Sequence, residues 1–252
     1  MKIVHNPEAK LISFLDEHYY TFDSKTYYPS STTILDVYPK GYGYIQWLKS
    51  FGVNADQIMK QAGEQGSKIH DAIDRFLKGE EIKWINEDNE INYTVEEWIM
   101  LMRFFDFWTK YKPKVIAQEQ SLLSEKLGFG GTADLVCEMN NEIWLIDYKS
   151  TNGIYKSHEL QVASYAMLWN NTVKEHKIQK TGIMWLKALT RGEDKLKKKI
   201  QGEGWILKEF DRSYEEAYRF FEHAKEIWYE ENPNYKPKNL IYPDSIKLNE
   251  KN

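Results

Sequence analysis

Asp147 and Lys149 stand two residues apart at the end of the apolar run Ile143-Trp144-Leu145-Ile146. Side chains alternate along a strand, so the acid and the lysine share a face with Ile143 and Leu145, and Tyr148 takes the other. Such a strand leaves an apolar core and ends in charge. Asp134 follows Gly130-Gly131-Thr132-Ala133 on the preceding segment, and Glu119 stands on the segment before that. If the three segments are neighbouring strands, their carboxylates converge. Like charges at that spacing repel, and at least one takes up a proton unless something neutralises the group. A hard divalent cation does this readily, since Mg²⁺ prefers carboxylate and water oxygens. A lysine two residues past such an acid can hold or deprotonate an attacking water. Together these groups form a layout for phosphodiester hydrolysis.

The elements that must position these residues are legible from periodicity. Strands are expected near 115–125, 131–138 and 142–149, with Asn140-Asn141 as the turn between the last two. A helix at about 157–170, strands at 181–189 and 204–210, and a helix at 213–231 follow. Upstream, Ile69, Ala72, Ile73, Phe76 and Leu77 recur at i, i+3, i+4, i+7 and i+8, one apolar face of a helix over about 55–78 that Gly79 stops. Thr94 and Glu97 have capping-box spacing and open a helix that runs from about Val95 to Tyr111, before Pro113. A short helix fits 43–51. Apolar and aromatic runs between 11 and 38 predict small antiparallel strands and then a helix entry. The tail from Asn232 holds Pro233, Pro237 and Pro243 and is expected to be extended. This order predicts one α/β (α+β) domain over 1–252. It divides into an N-terminal helical and small-sheet elaboration over 1–112, a βββαββα core over 113–231, and a tail over 232–252.

Asp134, then Asp147-Tyr148-Lys149, then Gln161-Val162-Ala163-Ser164-Tyr165 resembles the D…DxK…QxxxY signature of the PD-(D/E)xK nuclease superfamily, and within it the RecB-like branch. Gly66-Ser67-Lys68-Ile69-His70 followed by Asp74 is similar to the G(S/T)xxH…E helix of that branch, an element also carried by the mitochondrial genome maintenance exonucleases and their phage relatives. Ser31-Thr32-Thr33-Ile34-Leu35 and Trp47 resemble the front end of such phage exonucleases. The resemblance covers most of residues 28–170. It implies a restriction-endonuclease-like fold, a mixed central sheet flanked by helices. It implies that Asp134 and Asp147 hold Mg²⁺ or Mn²⁺ together with the backbone carbonyl of Tyr148. Glu119, chosen over Glu125, would be an acidic ligand or lie beside the metal, and His70 would be a further ligand. Lys149 would orient the attacking water and stabilise developing charge. Gln161 and Tyr165 would support the site or touch the DNA backbone, and Ser67 is a further candidate for contact with DNA. The implied protein is a metal-dependent deoxyribonuclease, an exonuclease acting on DNA ends or single strands in recombination, replication or repair. Phage or host recombination proteins would be its partners. The subgroup with an iron–sulfur cluster needs four cysteines, so Cys137 alone implies no iron–sulfur cluster here.

Composition sharpens this picture. Thirty-four Lys and Arg against 38 Asp and Glu give a formal charge of −4, whereas phosphate binders usually carry a basic surplus. The charge is uneven, however. Lys187, Arg191, Lys195, Lys197, Lys198 and Lys199 cluster against only Glu193 and Asp194, as a solvated hairpin loop or as a phosphate-contacting arm. Aromatics crowd the first fifty residues, among them Tyr19, Tyr20, Tyr27, Tyr28, Tyr42, Tyr44 and Trp47. Most read as core or sheet surface, and one or two as platforms for unpaired bases. One thiol excludes an internal disulfide and a cysteine-based zinc site, and Cys137 reads as a small hydrophobe. No apolar run is long enough to span a membrane, and the N-terminal segment lacks the apolar core of a signal peptide, so a soluble cytoplasmic chain is expected.

Other readings compete with this one. Asp147 and Lys149 could be a surface ion pair, and His70 could merely flank the apolar face of its helix. A structure-specific or restriction-type endonuclease would use the same residues. A non-catalytic DNA-binding module usually loses one of the acids or the lysine, and here all are present. Other metal hydrolases would show HExxH or HxH spacings, which are absent. A glycosidase pair of carboxylates needs neither the adjacent lysine nor the helical histidine.

Overall fold

The computed structural model describes residues 10–14, 17–187 and 204–237. An N-terminal antiparallel sheet has the order β1 (Lys10–Phe14), β2 (Glu17–Thr21), β3 (Tyr28–Pro29). The short helix α1 (Ser31–Ile34) follows, opened by Ser30, whose side chain accepts the Thr33 N–H. Then come α2 (Tyr42–Phe51), α3 (Ala55–Leu77) and α4 (Val95–Tyr111). The expected capping box at Thr94 and Glu97 is formed, and Lys112 ends α4 in a left-handed conformation just before Pro113.

The second sheet contains β4 (Lys114–Ser124), β5 (Phe129–Met139), β6 (Glu142–Lys149), β7 (Lys180–Trp185) and β8 (Ile206–Glu209), adjacent in that order. All pairs are antiparallel except β6 with β7. A parallel pair needs a crossover, and α5 (Lys156–Thr172) supplies it. Helix α6 (Tyr214–Glu231) closes the fold. The result is a mixed five-stranded sheet flanked by helices, as the sequence predicts. The strand expected over 181–189 ends at Trp185, and residues 188–203 lie outside those described.

The sheet carries a core on each face. Leu145 and Ile183 pack with Leu160 and Ala163 of α5 and Phe221 and Trp228 of α6. On the other face Ile146, Tyr148 and Met184 pack with Ile69 and Ile73 of α3 and Met100, Phe104 and Phe107 of α4. The alternation along β6 therefore decides which helices each side chain meets. Among the described residues no helix is long and apolar enough to cross a membrane.

Two details of β4 and β5 bear on the site. A register shift between Val115 and Ala117 leaves Gln118 opposite Leu135 and Gln120 opposite Ala133, so Glu119 faces Asp134 across the pair. Gly130 and Gly131 are sterically required. A Cβ on Gly130 would lie 2.3 Å from the Tyr20 side chain, and one on Gly131 would lie 2.4 Å from the Tyr165 ring. The first glycine lets the N-terminal sheet dock on β5, and the second lets α5 dock on the opposite side.

Candidate active site

His70 reaches the site from α3, Glu119 from β4, Asp134 from β5, and Asp147 and Lys149 from the end of β6. The burial of Ile69 and Ile73 on the apolar stripe of α3 fixes the rotation of that helix and turns His70 onto the strand ends. Its Nε2 lies 3.2 Å from the Tyr148 carbonyl oxygen. A carbonyl only accepts, so Nε2 carries the proton and donates. Nδ1 then faces two carboxylates, 3.5 Å from Asp134 Oδ2 and 3.8 Å from Glu119 Oε1. Burial alone would lower the His70 pKa, but Asp134 and Glu119 outweigh it and hold the imidazole well above the usual histidine range.

Asp134 is buried, and its Oδ2 accepts the Tyr148 N–H at 2.8 Å. Burial pushes its pKa up, but His70, Lys149 and that N–H outweigh it and leave the carboxyl below its ordinary value. Asp147 behaves oppositely. Burial, opposed by Lys149 and reinforced by the Asp134 charge, pushes its carboxyl up to about 6. Lys149 Nζ stands 2.7 Å from Asp147 Oδ2, close enough for an ion pair. That oxygen nonetheless has no aligned hydrogen-bond donor. Glu119 adopts φ +44°, a left-handed conformation inside a strand. A non-glycine residue held there is strained, and here the strain sits at a cluster of charged groups.

One atom from each of His70, Glu119 and Asp134 falls within 4.8 Å of the others. One imidazole, two carboxylates and the unsaturated Oδ2 of Asp147 nearby suit a divalent cation of the Mg²⁺ or Mn²⁺ kind. Asp147, expected beside Asp134 as a ligand, is engaged with Lys149 and stands outside this tight group. The Tyr148 carbonyl is occupied by His70, although its second lone pair is free to accept.

The remaining candidates are distributed as follows. Gln161 Nε2 donates to the Tyr165 hydroxyl at 2.9 Å, and both side chains are buried. With its ring seated over Gly131, Tyr165 is placed to brace β5 from behind. Ser67 is exposed on α3 one turn before His70. Asp74, one turn after His70, is held by Gln118 and Lys78 instead of joining the carboxylates. Lys187 is mostly buried and bonds Glu96 at 2.7 Å and Gln65 at 3.1 Å, which ties the end of β7 to α3 and α4. Arg191, Lys195, Lys197, Lys198 and Lys199 lie outside the described residues.

Sequence reasoning passed over Tyr20 and Thr132 as parts of the site. The Tyr20 hydroxyl bonds Thr132 Oγ1 at 2.8 Å, which in turn lies 3.3 Å from Ser121 Oγ, forming a hydroxyl chain two residues from Asp134. Gly130 was the available signal, since its missing side chain makes room for Tyr20. His158 was also missed. Burial and then Lys149 push it down to about 3, so it is neutral, and its Nδ1 accepts the Tyr155 N–H.

A family model described as the PD-(D/E)XK nuclease superfamily matches residues 43–236. That span takes in His70, all three strand-borne carboxylates, Lys149 and α5. No curated protein matches the chain.

Proposed function

Since the chain belongs to the PD-(D/E)XK nuclease superfamily, we propose that it is a Mg²⁺- or Mn²⁺-dependent deoxyribonuclease, an exonuclease working on DNA ends or single strands, built as one nuclease domain. The observation that carries this reading is the convergence of His70, Glu119 and Asp134 beside the Asp147–Lys149 pair. Non-catalytic relatives usually lose one of the acids or the lysine, and this chain keeps them all.

A bound divalent cation supplies Lewis acidity and neutralises the carboxylates. His70, Glu119, Asp134 and Asp147 would hold it. The Tyr148 N–H fixes Asp134, and His70 is fixed by its bond to the Tyr148 carbonyl, so both are oriented by one peptide segment of β6. Lys149 holds the attacking water by hydrogen bonding and donates to the phosphate oxygens as charge grows on them. Attack forms a new P–O bond as the water gives up a proton to solvent, and breaks the bond to the leaving oxygen, which takes up a proton from solvent. Gln161 and Tyr165 keep β5 seated and so keep Asp134 in place.

Purified protein should degrade end-labelled single-stranded, blunt and flapped DNA with Mg²⁺ or Mn²⁺ and stop with EDTA. An inert wild type on all three with both metals would sink the proposal. The label position reports polarity. Cutting of circular single-stranded DNA would favour an endonuclease, because a strict exonuclease cannot start on a circle. Recombination, replication or repair is the setting such an activity serves, with DNA as the substrate partner.

A further inference from the structure

Helix α2 buries none of its ten residues, whereas α3, α4, α5 and α6 each bury at least four. Its sequence does not suit a solvent-facing helix. Tyr44 stacks on Trp47 with centroids 6.0 Å apart and planes 22° apart, and Trp47 meets Phe51 at 5.4 Å. Phe51 is 44 % exposed and neighbouring Tyr42 76 %, whereas Tyr44 and Trp47 are half-buried, each still partly open to solvent. The Tyr44 hydroxyl reaches Met59 Sδ, so the ladder lies along the first part of α3. Between Ala55 and Ile69 no residue of α3 is buried, so this whole arm stands off the core. Monomeric proteins rarely leave such a surface uncovered without a use for it.

We propose that the Tyr44–Trp47–Phe51 ladder is a stacking platform for the bases of single-stranded DNA that runs along α3 into the active site. This rests on the nuclease reading above and assigns its substrate form. Two observations select the occupant. First, the arm is continuous with the site: Met59 and His70 are on one helix eleven residues apart, about 16 Å at 1.5 Å per residue. That is roughly five stacked nucleotides at 3.4 Å each. Second, the charge suits phosphates. From the ladder to the site, residues 40–70 hold Lys40, Lys49, Lys60 and Lys68 against Asp56 and Glu64, in a chain whose formal charge is −4. Rings that accept any base, together with dispersed lysines, form a sequence-tolerant single-strand surface.

The test measures binding separately from cleavage. Fluorescence anisotropy of labelled oligo-dT is recorded in EDTA, and again with Ca²⁺ in place of Mg²⁺. Wild type should bind a fifteen-nucleotide strand at least about tenfold more tightly than a four-nucleotide strand, which is too short to reach from the site to the ladder. Trp47→Ala should lose about five- to tenfold on the long strand, as expected for one lost stack. Trp47→Phe, which keeps a ring, should recover most of it, and circular dichroism checks that α2 persists. Equal binding by wild type and Trp47→Ala would overturn the proposal. So would a concentration-dependent dimer that Trp47→Ala abolishes, since a second copy would then be what covers the ladder. Length-dependent binding by a protein that cuts no DNA would spare this proposal and sink the nuclease reading. Cutting without any effect of Trp47 would do the reverse.

Discussion

Asp147 has the least comfortable side chain in the site, because its carboxylate is buried beside another acid and its Oδ2 lacks an aligned donor. Folding without a metal raises its pKa from 3.8 to about 6. A group shifted that way favours the folded state below its unfolded pKa, and the contribution is lost as pH rises through the folded value. At pH 8 the buried charge therefore costs the metal-free fold on the order of 3 kcal/mol at most. Asp147→Asn should stabilise metal-free protein at pH 8 by about 1 to 3 kcal/mol, less whatever is lost by leaving Lys149 unpaired. The gain should vanish near pH 4, and activity should fall by orders of magnitude. Thermal melts in EDTA at both pH values, beside a cleavage assay, read both effects. Unchanged melting at pH 8 would show that Lys149 already offsets the burial. Cys137 gives a second expectation at this scale. Its thiol is fully buried and pushed up to about 12, so it should resist maleimide at pH 8 until the protein is denatured.

At the scale of elements, the site depends on how closely neighbours approach β5. Gly131→Ala would drive a methyl into the Tyr165 ring and should destabilise the fold by about 1 to 3 kcal/mol. It should also lower activity, because α5 and the Asp134 strand move apart. Urea melts and turnover measured on the same sample separate the two losses. The cap of α4 links this helix to the His70 helix. Glu97 accepts the Thr94 N–H in the capping box and bonds Lys68 of α3 at 2.9 Å. Thr94→Ala should cost about 1 kcal/mol, and a cost below about 0.3 kcal/mol in urea melts would show that the Lys68–Glu97 pair holds the joint without it. Local pattern was a sound guide here. The stripe Ile69, Ala72, Ile73 and the Thr94–Glu97 pair were legible because helix periodicity and capping involve residues three or four apart. The short extent of β7 was not legible, since apolar Leu186 continues the strand pattern and its backbone N–H still bonds the Lys149 carbonyl, whereas β6, its partner, ends at Lys149.

At the scale of the whole molecule, two sheets and five longer helices among the described residues bring together groups from four elements, and the resulting cluster of an imidazole and carboxylates is one that a divalent cation suits. Mg²⁺ or Mn²⁺ should raise the melting temperature in a saturable way that EDTA reverses, because a ligand that binds only the folded state stabilises it by mass action. A flat melting temperature up to 10 mM of either metal, with the protein folded, would contradict the assembled cluster. By itself the sequence determined the alternation that puts Asp147 and Lys149 on one face, the order of strands and helices, and the residue types fit for a metal. Those follow from the preferences of neighbouring residues. Only the tertiary structure decided that His70 meets the Tyr148 carbonyl across 78 residues, that Asp74 is diverted to Gln118, and that Asp147 pairs with Lys149 outside the tight group. It also decided that α2 is left uncovered. Such contacts depend on how packed layers settle against one another. A packing difference of a few ångströms decides which carboxylates meet and which pair elsewhere, and no local pattern encodes it.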